Sequence, residues 1–358
     1  SIVINVILTV ITVIPIYIYS EKILGFLGAS AEVLPYARDY LNIMLLGFVF
    51  LSFSVNGTIL IRAEGKPRAS MYEMIIGAFL NIILDYFFIV VFGWGVQGAA
   101  IATVISHIAT TVYILAFFKS RGSIFDLKLR MFKINKSISR EILSIGTPSF
   151  LMEIIGCVMF MLFIRVVRQY GGDVYIAIIG IGIRIIDLIF MPILGISQGF
   201  SPLVGFNYGA KLYSRVKRVL KEAFIWSFFI TLIGFTIMVI FPEALIGIFT
   251  SDMSIIEKGV NPIRLIAMFA LLWSFPMLGS TFFQAIGKFK PSLAITLSRE
   301  LLFFIPAILI LPRFFGLTGV WLSWPFTDFL SFLVTGTLLL REIRIINRSL
   351  ELEKVKIS

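Results

Sequence analysis

The chain has 358 residues, of which 59% are hydrophobic and only 14% charged, and its mean hydropathy is +1.00. A soluble core does not need so much apolar surface, so the composition excludes an ordinary soluble protein and indicates that lipid surrounds most of the chain. The formal net charge of +11 does not indicate a nucleic-acid partner, because the basic residues cluster in short segments between apolar stretches. With Cys157 as its one cysteine, the chain cannot form an intrachain disulfide.

Apolar stretches follow one another along the whole chain, and each is close to or above the roughly 20 residues that a helix needs to cross a bilayer. They predict an all-α membrane protein with ten transmembrane helices. The predicted spans are 2–19, 34–60, 68–92, 98–118, 142–166, 174–204, 216–242, 262–284, 292–312 and 318–340.

Two segments of the sequence repeat each other. IRAEGKPRAS (61–70) matches FQAIGKFKPS (283–292), and Gly65, Lys66 and Ser70 each pair with an identical residue 222 positions later. This offset predicts two copies of one helical unit, which form two pseudo-symmetric bundles of the same orientation. The second copy holds six of the predicted spans and the first holds four. Because Ser1 already lies in an apolar stretch, we expect the chain to begin in mid-protein and to carry ten of twelve helices.

The distribution of basic residues predicts the orientation in the membrane. One set of alternate loops, together with the C-terminal tail, carries 22 Lys and Arg, and the opposite loops carry seven. By the positive-inside rule the richer set is cytoplasmic, as is the C-terminus, in a multi-pass protein of the cell membrane. The expected organisation is an N-terminal lobe over 1–118, a cytoplasmic linker over 119–140, a C-terminal lobe over 141–341 and a cytoplasmic tail over 342–358.

Asn81 and Asp85, in the stretch NIILD, lie one turn apart, so both point to one face of a helix. A carboxylate near a bilayer centre costs roughly 2.5–3.5 kcal/mol on insertion scales, and such residues usually mark ion or proton pathways. The pattern therefore favours a site that binds a proton or a small cation at Asp85. The alternative is a structural carboxylate that pairs with a basic side chain on a helix outside this sequence.

Other polar residues within the predicted spans support weaker hypotheses. Arg184 and Asp187 lie three residues apart, so they are expected to neutralise each other, with a substrate contact as the alternative. Glu153 is a lone acid and a candidate for substrate binding. His107, the only histidine, has no other metal ligands near it in the sequence, so we expect a hydrogen-bonded interior residue.

Four motifs, in this order and spacing, resemble those of the multidrug and toxic compound extrusion (MATE) transporters. They are LIRAEGKPR (60–68), NIILD (81–85), GVQGAAIATVIS (95–106) and SQGFSPLVGFNYGAK (197–211). The resemblance covers essentially the whole chain. It implies a cation or proton site at Asn81 and Asp85, with the hydroxyl of Thr103 from the next helix and the amide of Asn56 from the preceding one. A further Asp on the family's first helix would fall before Ser1.

The resemblance implies a secondary antiporter that exports hydrophobic, cationic organic compounds in exchange for H⁺ or Na⁺ by alternating access. A flippase for lipid-linked oligosaccharides is the alternative, although such proteins line their cavities with more cationic residues than Arg184 and Arg299. An enzyme is not expected, because the sequence offers no catalytic cluster. We expect a monomer that contacts membrane lipids and small organic substrates, with no nucleic-acid partner and no cofactor besides the coupling ion.

Overall fold

The structure is a computed structural model that describes residues 2–26, 33–120, 123 and 136–357. Within these residues the fold is all-α, as predicted, and contains no β-strand. The α-helices are α1 (Ile2–Ile18), α2 (Ser20–Phe26), α3 (Leu34–Ala63), α4 (Pro67–Asp85), α5 (Gly95–Lys119), α6 (Lys136–Gly171), α7 (Asp173–Gly209), α8 (Tyr213–Ile240), α9 (Pro242–Gly247), α10 (Met253–Ala267), α11 (Ser274–Ala285), α12 (Phe289–Leu297) and α13 (Ile305–Ile357). Two π-helical segments, Tyr86–Val91 and Ser298–Phe304, continue α4 and α12.

The helix boundaries follow the sequence repeat. α3 ends at Ala63 and α11 at Ala285, and α4 begins at Pro67 and α12 at Phe289, so both pairs are 222 positions apart. α1 and α8 end with the same offset, and the short helices α2 and α9 begin with it. The chain therefore forms two copies of one helical arrangement, as the repeated motifs predict.

Seven helical stretches of the described chain are long and apolar enough to cross a membrane, or eight if the bent pair α10 and α11 counts as one span. The sequence predicts ten spans, and two features of the structure account for the difference between ten and eight. α1, which corresponds to 2–19, has only 17 residues. The spans predicted at 292–312 and 318–340 lie in one 60-residue stretch, Phe289–Arg348.

Gly316 divides this long stretch, since its φ of 56° and ψ of −137° are not helical. A continuous helix of that length would measure about 90 Å, whereas the hydrocarbon core of a bilayer is about 30 Å thick. The residues before and after Gly316 can therefore serve as two separate spans.

The span predicted at 262–284 is not one straight helix. The helix begins nine residues earlier, at Met253, and bends by 43° between α10 and α11. A 3₁₀ turn, Ala270–Leu272, lies at the bend. Pro276 lacks the N–H that would bond to the carbonyl of Leu272 at the end of this turn, which favours a break. Its counterpart in the first copy is Ser54, and α3 is continuous there.

The chain divides into two compact units, Ser1–Gly146 and Thr147–Ser358. In the first unit, Ile61, Ile114 and Phe118 form a buried cluster between α3 and α5. The second unit has two larger clusters, one around Phe163 and Trp321 and the other around Phe200 and Phe282. Most of the predicted linker 119–140 lies outside the described residues, and α6 begins within it at Lys136. In the predicted tail 342–358, α13 continues to Ile357.

Candidate functional site

Two of the predicted coupling residues meet where α4 packs against α5 in the first unit. The amide Nδ2 of Asn81 donates a hydrogen bond to Oγ1 of Thr103 at 3.4 Å. Thr103 in turn donates to the carbonyl of Ala99, one turn earlier on α5, at 2.9 Å. Because this bond uses the amide nitrogen of Asn81, its amide oxygen remains able to accept a hydrogen bond or bind a cation.

Asp85 lies one turn beyond Asn81 and is the last α-helical residue of α4. The side chain is half-buried, and its Oδ1 is fully buried without a hydrogen-bond donor among the described residues. A buried acceptor without a partner costs about 1–3 kcal/mol, and more if it is charged. The helix widens into a π-helix at Tyr86, directly after Asp85. Such segments are rare and frequently occur at functional sites.

Asn56, the fourth predicted member, lies in a different polar cluster of the first unit. Its Nδ2 donates to the carbonyl of Ser52 on its own helix, at 2.9 Å. Ser52 also bonds to the side chains of Asn5 and Thr9 on α1. No hydrogen bond in the described chain joins Asn56 to Asn81, Asp85 or Thr103. The spacing of Asn5 and Thr9, one turn apart on an apolar helix, is the sequence signal that could have found this cluster.

Glu73 is a buried acid of the first unit that sequence reasoning missed. It lies on α4, and only 4% of its surface is exposed. Thr58 on α3 donates to Glu73 Oε2 at 2.6 Å. The nearby Arg62 donates instead to Ser70 at 2.8 Å and to the sulfur of Met74 at 3.3 Å. The sequence signal was an acid inside a predicted span, three turns before Asp85 on the same helix.

The three candidate substrate residues of the second unit, Glu153, Arg184 and Asp187, are all exposed. No ion pair joins Arg184 to Asp187 within residues 136–357, so the expectation that they neutralise each other is wrong. A three-residue spacing permits such a pair but does not require it, because exposed ion pairs gain little free energy. Glu153 lies close enough to Glu300 for the two acids to interact electrostatically.

The second unit also contains an ion pair with a buried carboxylate. Arg299 Nη2 lies 3.2 Å from Asp328 Oδ1, and Trp273 Nε1 donates to Asp328 Oδ2 at 2.8 Å. Asp328 is 2% exposed. Arg299 and Glu300 both belong to the second π-helical segment. The pairing partner of Arg299 was not evident from the sequence, because Asp328 is 29 residues away.

Two further features bear on ligand binding. A groove of about 550 Å³ lies between α7 and α8, mostly apolar, with Arg218 and Glu222 among its lining residues. None of the candidate substrate residues lines it.

Among the described residues, no three His, Cys, Asp or Glu side chains lie together in a way that could hold a metal ion. His107 is half-buried, and its imidazole makes no hydrogen bond to another described residue, contrary to our expectation.

A model of the MatE family matches residues 1–87 and 148–309 of this chain. The chain belongs to the MatE family. Among proteins similar to it, the Multidrug export protein MepA of Staphylococcus aureus (strain NCTC 8325 / PS 47) is 30% identical over 304 residues. That alignment covers 84% of this chain and 66% of the relative, so the chain spans about two thirds of the length of the curated relatives it matches.

Solved structures of the same family have closely similar folds. A multidrug resistance MATE family transporter of the MOP superfamily, in an outward-facing conformation, is 27% identical with a TM-score of 0.88. The match covers 96% of this chain and 78% of that one. A MOP superfamily transporter from Pyrococcus furiosus Vc1 (DSM3638) has the same identity and TM-score, with 97% and 78% covered. The resemblance inferred from the sequence motifs is thus confirmed, and with it an integral, multi-pass membrane protein of a transporter family.

Proposed function

We propose that this protein is a secondary antiporter that exports hydrophobic, cationic organic compounds in exchange for H⁺ or Na⁺. The observation that carries the proposal is the buried, unpartnered Oδ1 of Asp85, beside the Asn81–Thr103 pair. The names of the similar proteins, a multidrug exporter and a multidrug resistance transporter, support the class of substrate.

Asp85 would couple the movement of the ion to that of the substrate. Burial disfavours the ionised form of a carboxylate, whereas a bound proton or cation removes the penalty. Loading and unloading of Asp85 can therefore change the relative free energy of two conformations, provided that its surroundings differ between them. The membrane potential contributes about 2.3 kcal/mol per 100 mV for each positive charge that moves inward, in addition to the free energy from the concentration gradient of the ion.

The neutral oxygens near Asp85 would complete the site. The amide oxygen of Asn81 is available to a bound cation, and Thr103 holds the Asn81 side chain in place. Asn56 would act through the separate cluster, in which it bonds to the carbonyl of Ser52 and the side chain of Ser52 joins α3 to Asn5 and Thr9 of α1. Such interhelical hydrogen bonds are a common role of polar residues in membranes.

In this proposal the lobes 1–118 and 141–341 alternate access to a central site by rocking against each other. The protein is placed in the cell membrane as a monomer, with its linker and C-terminus in the cytoplasm. Glu153, Arg184 and Asp187, which are exposed in the second unit, are the candidate substrate contacts.

The flippase alternative is less well supported. A flippase for lipid-linked sugars needs free cationic side chains to bind phosphate groups. Arg299 is one of two basic residues deep within the predicted spans, and Asp328 neutralises it. Arg184 alone remains without a carboxylate partner among the described residues, which is too little charge for a pyrophosphate headgroup.

The test is export of a fluorescent organic cation from proteoliposomes that contain the full-length protein. A pH gradient and a Na⁺ gradient are imposed separately, at a fixed membrane potential. We expect one of them to drive export by the wild-type protein. Scrambling of a labelled lipid, without gradient-driven export of the cation, would instead favour the flippase.

A further inference from the structure

Glu73 and the coupling residues occupy one stripe of α4. Glu73, Gly77, Asn81 and Asp85 follow one another at intervals of four residues, so each shares a face with the next and the stripe turns by about 40° at each step. A Cβ at Gly77 would lie 2.7 Å from Cγ2 of Thr110, so α5 packs directly against this stripe. The rise of the helix separates Glu73 from Asp85 by about 18 Å along its axis.

Polar groups of α5 and α3 accompany this stripe from one acid to the other. Thr103, which bonds to Asn81, is followed one turn later by His107 and another turn later by Thr110 and Thr111. Ser54 Oγ on α3 lies 2.7 Å from Thr110 Oγ1 and 3.3 Å from Thr111 Oγ1. We call Asn81, Thr103, His107, Thr110, Thr111, Ser54 and Thr58 the polar seam.

Thr58 joins the polar seam to Glu73. Its Oγ1 lies 2.8 Å from the carbonyl oxygen of Ser54 and 2.6 Å from Glu73 Oε2, so its proton can be donated to either. Ser54, Thr58 and Thr110 are all buried. Only Ser54, Thr110 and Thr111 contact one another through their hydroxyls, whereas Thr58 bonds to the backbone carbonyl of Ser54 and Thr103 to that of Ala99. A hydroxyl is both a donor and an acceptor, so the polar seam offers separate groups that can accept and release a proton between the two acids.

The surroundings of Glu73 leave its charge only partly compensated. The charged or titratable groups that interact with it are Arg62 from α3 and Tyr113 from α5. No ion pair within 4.0 Å joins Glu73 to Arg62 in the described chain, because the guanidinium bonds to Ser70 and Met74. Glu73 lies about 9 Å along the helix from Pro67, the start of α4. That end carries Arg62, Lys66 and Arg68, which the positive-inside rule assigns to the cytoplasm.

We propose that Glu73 is a second proton-binding site of the first unit, which takes up the proton that Asp85 releases, with water between the separate polar groups of the seam completing the route. In this step a proton leaves the carboxylic acid of Asp85 and finally protonates the carboxylate of Glu73. Glu73 then releases it to water at the loop between α3 and α4. The inference rests on the proposed antiport and specifies H⁺ as its coupling ion. A proton can be held by one carboxylate at a time, whereas a Na⁺ ion needs several oxygen ligands at once.

The test uses the full-length protein in proteoliposomes and compares two assays of one fluorescent organic cation. The first is export driven by a pH gradient, and the second is counterflow of the cation at equal pH on both sides, which needs no net proton movement. We expect Glu73→Gln to slow pH-driven export by roughly a hundredfold, the usual contribution of a positioned proton-transfer group. Counterflow and the equilibrium binding of the cation stay near wild type. Glu257→Gln, at an exposed site in the second unit, is the matched control and leaves both assays unchanged.

Thr58 supplies a second test that keeps the charge of Glu73. Thr58→Val removes the connecting hydroxyl and is expected to slow pH-driven export but not counterflow, whereas Thr58→Ser restores export. The proposal is overturned if Glu73→Gln exports at the wild-type rate. It is equally overturned if Glu73→Gln and Thr58→Val lose counterflow and cation binding together with export, which would indicate a structural role. Normal export by Asp85→Asn would instead contradict the proposed function itself.

Discussion

Gly65 and Gly287, one in each unit and 222 positions apart, hold the same left-handed backbone conformation, with φ of 76° and 73°. Each closes the turn between two helices with the same pair of hydrogen bonds. The N–H of Gly65 bonds to the carbonyl of Arg62 and that of Lys66 to Ile61, and Gly287 and Lys288 make the equivalent bonds in the second unit. This geometry is typical of a helix that ends on a left-handed residue.

Gly65→Ala and Gly287→Ala are expected to destabilise the protein by similar amounts, about 1 kcal/mol each, because a Cβ disfavours positive φ. Asn tolerates this conformation better, so Gly65→Asn is expected to cost less. Thermal unfolding of the purified protein in detergent measures the effect. As a control, Gly180→Ala lies in α7, meets no atom within 4 Å and has no positive φ. Equal melting temperatures for Gly65→Ala and Gly180→Ala would show that the turn does not depend on glycine.

The packing of Gly279 against Thr335 gives a second prediction. A Cβ at Gly279 would lie only 2.3 Å from Cγ2 of Thr335. Gly279→Ala is therefore expected to destabilise the protein by about 1–3 kcal/mol through overpacking. Thr335→Ser removes the clashing methyl group and should recover much of this loss in the double variant, again measured by thermal unfolding. Additive effects of the two changes would contradict the contact.

The ion pair of Arg299 and Asp328 gives a third prediction. Asp328→Asn leaves the charge of Arg299, whose side chain is only 26% exposed, without its partner, so it is expected to destabilise the protein by about 3 kcal/mol. The double variant Arg299→Met with Asp328→Asn should be more stable than the single one, because no unpaired charge remains. Asp187→Asn, at an exposed acid of the same unit, is the control. A melting temperature for Asp328→Asn equal to that of this control would be the contradicting result.

The repeat made much of the fold predictable. A fixed offset between IRAEGKPRAS and FQAIGKFKPS implied that helices end and begin at equivalent positions, and Ala63 and Ala285 do so. The bend between α10 and α11 was not predictable in this way. Pro276 stands where the first copy has Ser54, so the second copy departs from the first at that residue.

The candidate site was predictable only in part, for a physical reason. Residues one turn apart on one helix share a face whatever surrounds them, so Asn81 and Asp85 could be grouped from sequence. Contacts between helices depend on the rotation of each helix, which an apolar pattern hardly constrains when lipid and protein are both apolar. Glu73 with Thr58, and Arg299 with Asp328, are contacts of this second kind.

The bond between Asn81 and Thr103 leads to a prediction about coupling. Thr103→Val keeps the shape of the side chain but removes the hydroxyl, so Asn81 is no longer held beside Asp85. We expect slower gradient-driven export with little change in the binding of the organic cation. Thr103→Ser keeps the hydroxyl and is expected to retain most activity. Equal export rates for the Val and Ser variants would show that this hydroxyl does not contribute.

The most direct measurement of the central claim is export by Asp85→Asn in proteoliposomes, with H⁺ and Na⁺ gradients imposed separately at a fixed membrane potential. Asp39→Asn is the matched control, since Asp39 is an exposed acid of α3 in the same unit. We predict that Asp85→Asn inserts and folds like wild type but exports nothing with either gradient, while Asp39→Asn exports normally. Gradient-driven export by Asp85→Asn at the rate of Asp39→Asn would contradict the account.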